Sequence, residues 1–216
     1  LKWATMNLGA TTVAGDYATC AGDYYQWGSV ETLYESIPWN SWSGTLKFSI
    51  PSWKSGKEIG FEEENIEYKS DDDLPATNDV VNKTLGGSWR MPTSQEFMDL
   101  YDACLNGVYD ATTYKSTSCD ALTNFGKGIY WCGNFDGVAG VLFCDGTSKL
   151  FFPATGLVNR YYILLAGSFG YYWSSTVSGN NTAFAYDLSL SSINVFPQND
   201  SYRSSGFSIR PVKDAE

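Results

Sequence analysis

The sequence contains no histidine. This absence removes the usual general base near neutral pH, every catalytic triad built on an imidazole, and the commonest zinc ligand. Any catalysis would fall to cysteine, carboxylate, lysine or tyrosine. Positive charge is scarce too: 14 lysines and arginines stand against 24 aspartates and glutamates, for a formal net charge of −10. Affinity for phosphates comes mainly from neutralising lysine and arginine, so the balance argues against a nucleic-acid partner and disfavours an anionic membrane surface. No run of 18 apolar residues is present for a membrane span, so no direct membrane insertion of this chain is expected. The opening residues LKWATMNLGA lack the charged and apolar regions of a signal peptide, and a leader or anchor is expected outside the chain.

Cysteine is present but unpatterned. Cys20, Cys104, Cys119, Cys132 and Cys144 are an odd number without a CxxC pair, which points to neither a complete disulfide framework nor a four-cysteine metal site. Most are expected as buried thiols. If bridges form, Cys104 with Cys119 or Cys132 with Cys144 are the expected pairs.

What remains is a chain of 216 residues, 43% hydrophobic and 18% charged, long enough to bury one substantial core and expected to fold as a single domain over 1–216. Aromatics make up 16% and glycine numbers 21. Short alternating segments recur between turn signals, which reads as many short strands with long loops. One helix stands out in MPTSQEFMDLYDACLNG. Thr93 and Glu96 have capping-box spacing, and Phe97, Leu100, Tyr101, Cys104 and Leu105 recur at helical intervals, predicting a helix from Ser94 to Leu105. A shorter helix is expected over Asp79–Leu85, capped by Thr77 or Asn78 and ended by Gly86-Gly87. Asp145-Gly146 between two apolar runs predicts a hairpin. Strands are expected around Trp173, over Phe184–Leu190 and over Phe207–Val212. In the last, Phe207, Ile209 and Pro211 share one face, and Ser208 and Arg210 the other. The polar run PQNDSYRSS before it reads as a displayed loop.

The stretch from Phe61 to Leu74 holds seven carboxylates against one lysine, −6 of the chain's −10. It reads as a solvated loop. Calcium is the alternative, since clustered carboxylates are hard-oxygen ligands, although Asp71-Asp72-Asp73 lacks the spacing of a calcium loop. No other cofactor or metal is expected.

Five segments in order carry a resemblance: WATMNLGAT with GDYYQWG, GGSWRMPTSQEFMDL, LFFPATG, GYYWSST and GFSIRPV. Together they resemble the FISUMP, or major paralogous domain, family of Bacteroidetes and Fibrobacteres surface proteins. That family is similar to the C-type lectin fold in its formylglycine-generating-enzyme-like branch, where an RxPT turn leads into a helix and a GFxxR segment closes the domain. Arg90, Pro92 and Thr93 match the first, and Gly206, Phe207 and Arg210 approximate the second. The resemblance implies an α+β, C-type lectin-like fold, with one or two helices flanking twisted, mostly antiparallel sheets and long irregular loops. It also implies a place at the cell surface or outside the cell, or on a phage particle.

The same branch includes variable proteins of diversity-generating retroelements, whose closing segment presents a hypervariable ligand-binding face. Adenine mutagenesis cannot turn an asparagine codon into Lys, Glu, Gln, Met or Trp. Between Phe151 and Val212 the chain has no Lys, Glu or Met, one Gln (Gln198) and one Trp (Trp173). The implied function is therefore non-catalytic ligand recognition or adhesion through the part spanning 156–212. Expected anchors are Tyr161, Tyr162, Phe169, Tyr171, Phe184, Tyr186, Phe196 and Tyr202, with Asn180, Asn181, Asn199, Asp200 and Ser204 as adaptable polar contacts. The sugar motifs EPN, QPD and WND do not occur, so a protein ligand is expected first and a glycan second.

Two other readings stand beside it. One is a structural or assembly module of a surface fibre, lipoprotein or phage particle. The other is a copper-dependent oxidase like the formylglycine-generating enzyme, which needs paired thiolates in the closing segment. All five cysteines lie at or before Cys144, so the chain is not expected to be an enzyme. Trp89, Arg90, Pro92, Trp173, Gly206, Phe207 and Arg210 are read as residues of folding, supplying apolar area and hydrogen bonds that tie loops together.

Overall fold

Thr93 begins the longest helix of the computed structural model, which describes residues 1–32, 71–105, 115–117, 125–159, 162–179, 181 and 183–215. Two short elements, β1 (Lys2–Trp3) and α1 (Tyr17–Cys20), come first, and α2 (Val80–Leu85), β2 (Trp89–Arg90) and α3 (Ser94–Cys104) follow. At the start of α3 the Thr93 hydroxyl accepts from the Glu96 amide at 3.2 Å, and the Glu96 carboxylate accepts from the Thr93 amide at 2.9 Å. This is the expected capping box, satisfying two orphan donors reciprocally. Arg90 holds the same Glu96 through both ends of its guanidinium, at 2.7 and 2.8 Å, so the RMPT turn is welded to the helix it precedes.

The α2 helix forms as expected, but its cap is Asp79 rather than Thr77 or Asn78. One Asp79 oxygen accepts from the Val81 and Asn82 amides, and the other accepts from Met91 N at 2.8 Å. A carboxylate can serve both partners at once, tying the helix start to β2, whereas Thr77 Oγ1 merely donates to Asn78 Oδ1 at the surface.

The middle of the chain builds a four-stranded sheet in the order β3 (Lys115–Thr117), β4 (Gly128–Phe135), β5 (Val138–Cys144), β6 (Lys149–Pro153). The expected hairpin at Asp145-Gly146 joins β5 to β6, and Asp145 Oδ1 accepts from Thr147 N and Ser148 N at 2.7 Å each. A second Asp-Gly hairpin, not anticipated, joins β4 to β5. Asp136 and Gly137 have φ of 47° and 92°, the left-handed pair that a two-residue hairpin turn requires.

The C-terminal half forms β7 (Leu157–Asn159) with β8 (Tyr162–Leu164). It then forms a three-stranded sheet with β10 (Phe184–Ser191) between β9 (Phe169–Val177) and β11 (Val195–Tyr202). Finally β12 (Val212–Lys213) lies between β1 and β2, so the two ends of the described chain meet beside the RMPT turn. Among the described strands all pairs are antiparallel except β3 with β4. Among the described residues this is an α+β fold of small, mostly antiparallel sheets with three helices.

The α3 helix packs on both larger sheets, burying Phe97 and Cys104 among Phe143, Phe152, Tyr172, Leu188 and Leu190. On the other face of β9, Trp173 stacks on Phe207 at 4.1 Å between ring centroids, within a cluster that includes Tyr25, Trp27 and Ile209.

Two expectations for the last twenty residues are corrected. The segment from Phe207 to Val212 is not a continuous strand. It makes isolated bridges at Phe207 and Ser208, then enters β12 only at Val212. Nor does it have two environments, because Phe207, Ser208, Ile209 and Arg210 are all buried. Ser208 Oγ donates to Ala21 O, and Arg210 donates to the carbonyls of Ala4, Thr5 and Phe151, so its polar side is consumed internally. The run PQNDSYRSS is not a loop. Through Tyr202 it belongs to β11, pairing with β10 from Tyr202–Phe184 to Val195–Leu190.

Neither expected disulfide forms, since Cys104 and Cys144 are free buried thiols, as is Cys20. Across β4 and β5, Cys144 sits opposite Gly128 and Cys132 opposite Gly140. That offset of four residues is about 13 Å at a strand's rise, beyond a disulfide's reach. Cys132 is nevertheless disulfide-bonded; Cys119 lies outside the described residues.

Candidate functional site

Pairing along β10 and β11 divides the candidate residues between two faces. Cross-strand partners share a face, and successive residues alternate. Phe184 pairs with Tyr202 and Tyr186 with Asp200, placing these four on one face. Ala185 pairs with Ser201 and Asp187 with Asn199, on the opposite face. Between Asn199 and Phe196 the register shifts: β11 spends two residues, Pro197 and Gln198, against the single Leu188. This bulge returns Phe196, the partner of Ser189, to the face of Asn199. On β9, Tyr171 pairs with Ser189 and Phe169 with Ser191, so both join that second face.

The first face is open at its far end. Tyr202 is 57% exposed, and its ring meets Phe184 at 4.2 Å between centroids. Asp200 is exposed, and its Oδ2 accepts from the buried Ser178 hydroxyl at 3.2 Å. The Tyr186 hydroxyl accepts from Gly179 N at 2.9 Å, which pins the ring against the turn leading out of β9. In that turn the exposed Asn181 accepts from Ala183 N at 2.9 Å.

The second face is more enclosed. Asp187 is buried, and both its oxygens accept from Asn199 Nδ2, at 3.1 and 3.2 Å. No described cation pairs with it. Burial pushes its carboxyl up to about 7; hydrogen bonds from Ser201 and Asn199 pull the other way, and the charge of Asp200 adds to the rise. Beside this polar strip Phe169 and Tyr171 lie parallel, with centroids 6.2 Å apart, and Tyr171 stacks in turn on Phe207 at 5.0 Å. Both are half-buried and buttress the core. Phe196, at 53% exposure, stands free of it.

Ser204 is half-buried just past β11, and its carbonyl accepts from Gln26 Nε2 at 2.9 Å. Tyr161 and Asn180 lie outside the described residues, as does the side chain of Tyr162. Three residues of this region carry weight that sequence reasoning missed. Asp187 had no visible signal, because an aspartate in a strand reads as solvent-facing. Ser178 looked like one more turn residue. Ile193, 74% exposed in the β10–β11 turn, could have been found as a lone large hydrophobe amid Ser-Ser and Asn.

No group of three His, Cys, Asp or Glu side chains among the described residues could hold a metal ion. Most of the acidic stretch considered for calcium lies outside the described residues. Within its described end, Asp73 Oδ1 accepts from Ser175 Oγ at 2.9 Å and Thr176 Oγ1 at 2.5 Å, and so joins that segment to β9. The free thiols are poor ligands, since burial pushes Cys20 and Cys104 up to about 12 and raises Cys144 as well. No helix among the described residues is long and apolar enough to cross a membrane. No family model, curated protein or solved structure matches the chain.

Proposed function

We propose that this chain is a non-catalytic ligand-recognition or adhesion domain of the FISUMP type. It is built on a C-type lectin-like scaffold and meets its ligand through the side chains of β11 and the residues paired with them. The observation carrying this reading is the exposure of Phe196 and Tyr202, at 53% and 57%, on a strand whose neighbour is almost wholly buried. Large aromatics held in water by a rigid sheet give a protein surface contact area at little entropic cost, which favours a protein ligand over a glycan.

The scaffold reading is supported by the clamp of Arg90 on Glu96 at the RMPT turn and by the burial of Arg210 in the closing segment. Its non-catalytic character is supported by thiols that stay protonated and by the lack of histidine. The disulfide at Cys132 supports an oxidising compartment, in keeping with a cell-surface or extracellular location.

Protein and glycan arrays probed with the wild type and with a Phe196→Ser, Tyr202→Ser double variant test the proposal. Protein hits lost in the variant are the expected result. Blank arrays with the wild type would leave the structural or assembly module as the better reading.

A further inference from the structure

We propose that the Phe184–Tyr202 ring pair and Asp200 form a docking site for an arginine side chain of a protein partner. This rests on the recognition reading above and names the chemistry of the ligand. Phe184, Tyr186, Asp200 and Tyr202 form a two-by-two block on one sheet face, set by two alternate cross-strand pairs with Ala185–Ser201 between them on the other face. The rings of Phe184 and Tyr202 lie at 33° to each other, and the exposed Tyr202 offers a π surface to solvent. Asp200 stands diagonal to Phe184 and next but one to Tyr202, within the reach of a long side chain lying across the rings. One of its oxygens is taken by Ser178, and it makes no ion pair among the described residues.

Elsewhere the chain closes such arrangements itself. Arg203 lies over Trp27 at 4.7 Å, Arg210 over Phe152 at 4.6 Å and Lys213 over Trp89 at 5.3 Å. No cation of the described residues lies over the Phe184–Tyr202 pair, although a carboxylate stands beside it. Overall charge favours filling it from outside, because the whole chain carries −10. Arginine fits better than lysine. Its planar guanidinium stacks on a ring, sheds water readily and can place a forked pair of donors on a carboxylate. The block is open rather than enclosed, so one arginine should bind weakly and act as one contact of a larger protein interface.

The test is a titration of the protein with N-acetylarginine amide, followed by proton–nitrogen correlation spectra, with N-acetylcitrulline amide as the uncharged control of similar shape. Saturable shifts confined to residues 184–186 and 200–202 are expected with arginine and not with citrulline. Asp200→Asn and Tyr202→Ala should each raise the apparent Kd by about five-fold or more. Both positions are exposed, and unchanged signals elsewhere in the spectrum verify the fold of each variant. No shifts at the block, equal shifts with citrulline, or undiminished binding in Asp200→Asn overturns the proposal. The titration needs no partner, so its failure removes only the arginine assignment, whereas blank arrays remove the recognition reading.

Discussion

Asp187 gives the chain an unusual dependence of stability on pH. Its carboxyl rises from an ordinary 3.8 to about 7 on folding, chiefly through burial. Between those values the folded state holds a proton that the unfolded state has released, so stability falls as pH rises through this window. Above about pH 7 both states are ionised and the whole penalty is present. A shift of about three units corresponds to on the order of 4 kcal/mol at most, and relaxation of the sheet would reduce it. This sign is opposite to that of a salt-bridged aspartate, whose contribution is lost on acidification.

Asp187→Asn isolates the effect. The variant loses one acceptor for Asn199, but that defect does not titrate, so the pH dependence of the difference between the two proteins belongs to Asp187 alone. Urea unfolding at pH 4.5, 6, 7.5 and 8.5 measures it, in steps chosen to span the shift. Relative to the variant, the wild type should lose about 2–4 kcal/mol across the series, mostly between pH 5 and 7.5. A difference that stays constant across the series would refute the reasoning and mean that Asp187 ionises in the fold without cost.

Trp173→Ala should cost about 3–5 kcal/mol in thermal or urea melts, because the ring is wholly buried against Phe207. Trp89 is only half-buried beneath Lys213, so Trp89→Ala should cost about half as much, against the equal roles its motif suggests. Thr93→Ala removes half of the capping box and should cost about 1 kcal/mol, seen as a Tm lower by about 2–4 °C. Gly140→Ala would press a methyl on the Phe152 carbonyl and, at 2.6 Å, on Phe151 Cζ. It should destabilise by about 1–3 kcal/mol, read from the urea midpoint.

The legibility of this fold follows the range of the interactions involved. The α3 helix could be read because its cap, first turn and apolar stripe all lie within a dozen residues. The cap of α2 could not, because Asp79 is selected partly by Met91 N, beyond the helix itself. The β11 strand was hidden for two reasons. Its inner face carries Asn199 and Ser201 to meet the buried Asp187, so the polar sequence of a strand looks like that of a loop. The bulge at Pro197 and Gln198 then breaks the alternation that would have betrayed it. In the closing segment the strand period could not show what Ser208 and Arg210 meet, because their acceptors on Ala21 and Phe151 arrive from far along the chain. The Asp136-Gly137 turn, by contrast, carried a local signal as clear as that at Asp145-Gly146.

The bulge also decides how β11 can meet a partner. Among the described residues it is an edge strand, paired only with β10, and an unprotected edge would recruit another strand through its backbone. Pro197 leaves the strand one backbone donor short, and the extra residue at the bulge throws the two halves of the strand out of register. Only the stretch from Asn199 to Tyr202 remains regular, shorter than an ordinary strand, and it carries the charge of Asp200. Strand addition is therefore opposed by three features of β11 itself, while Phe196 and Tyr202 are held outward on opposite faces by the same bulge. Recognition is left to side chains. The feature that hides the strand from sequence reading is also the one that lets it stand at the surface without pairing with its own kind.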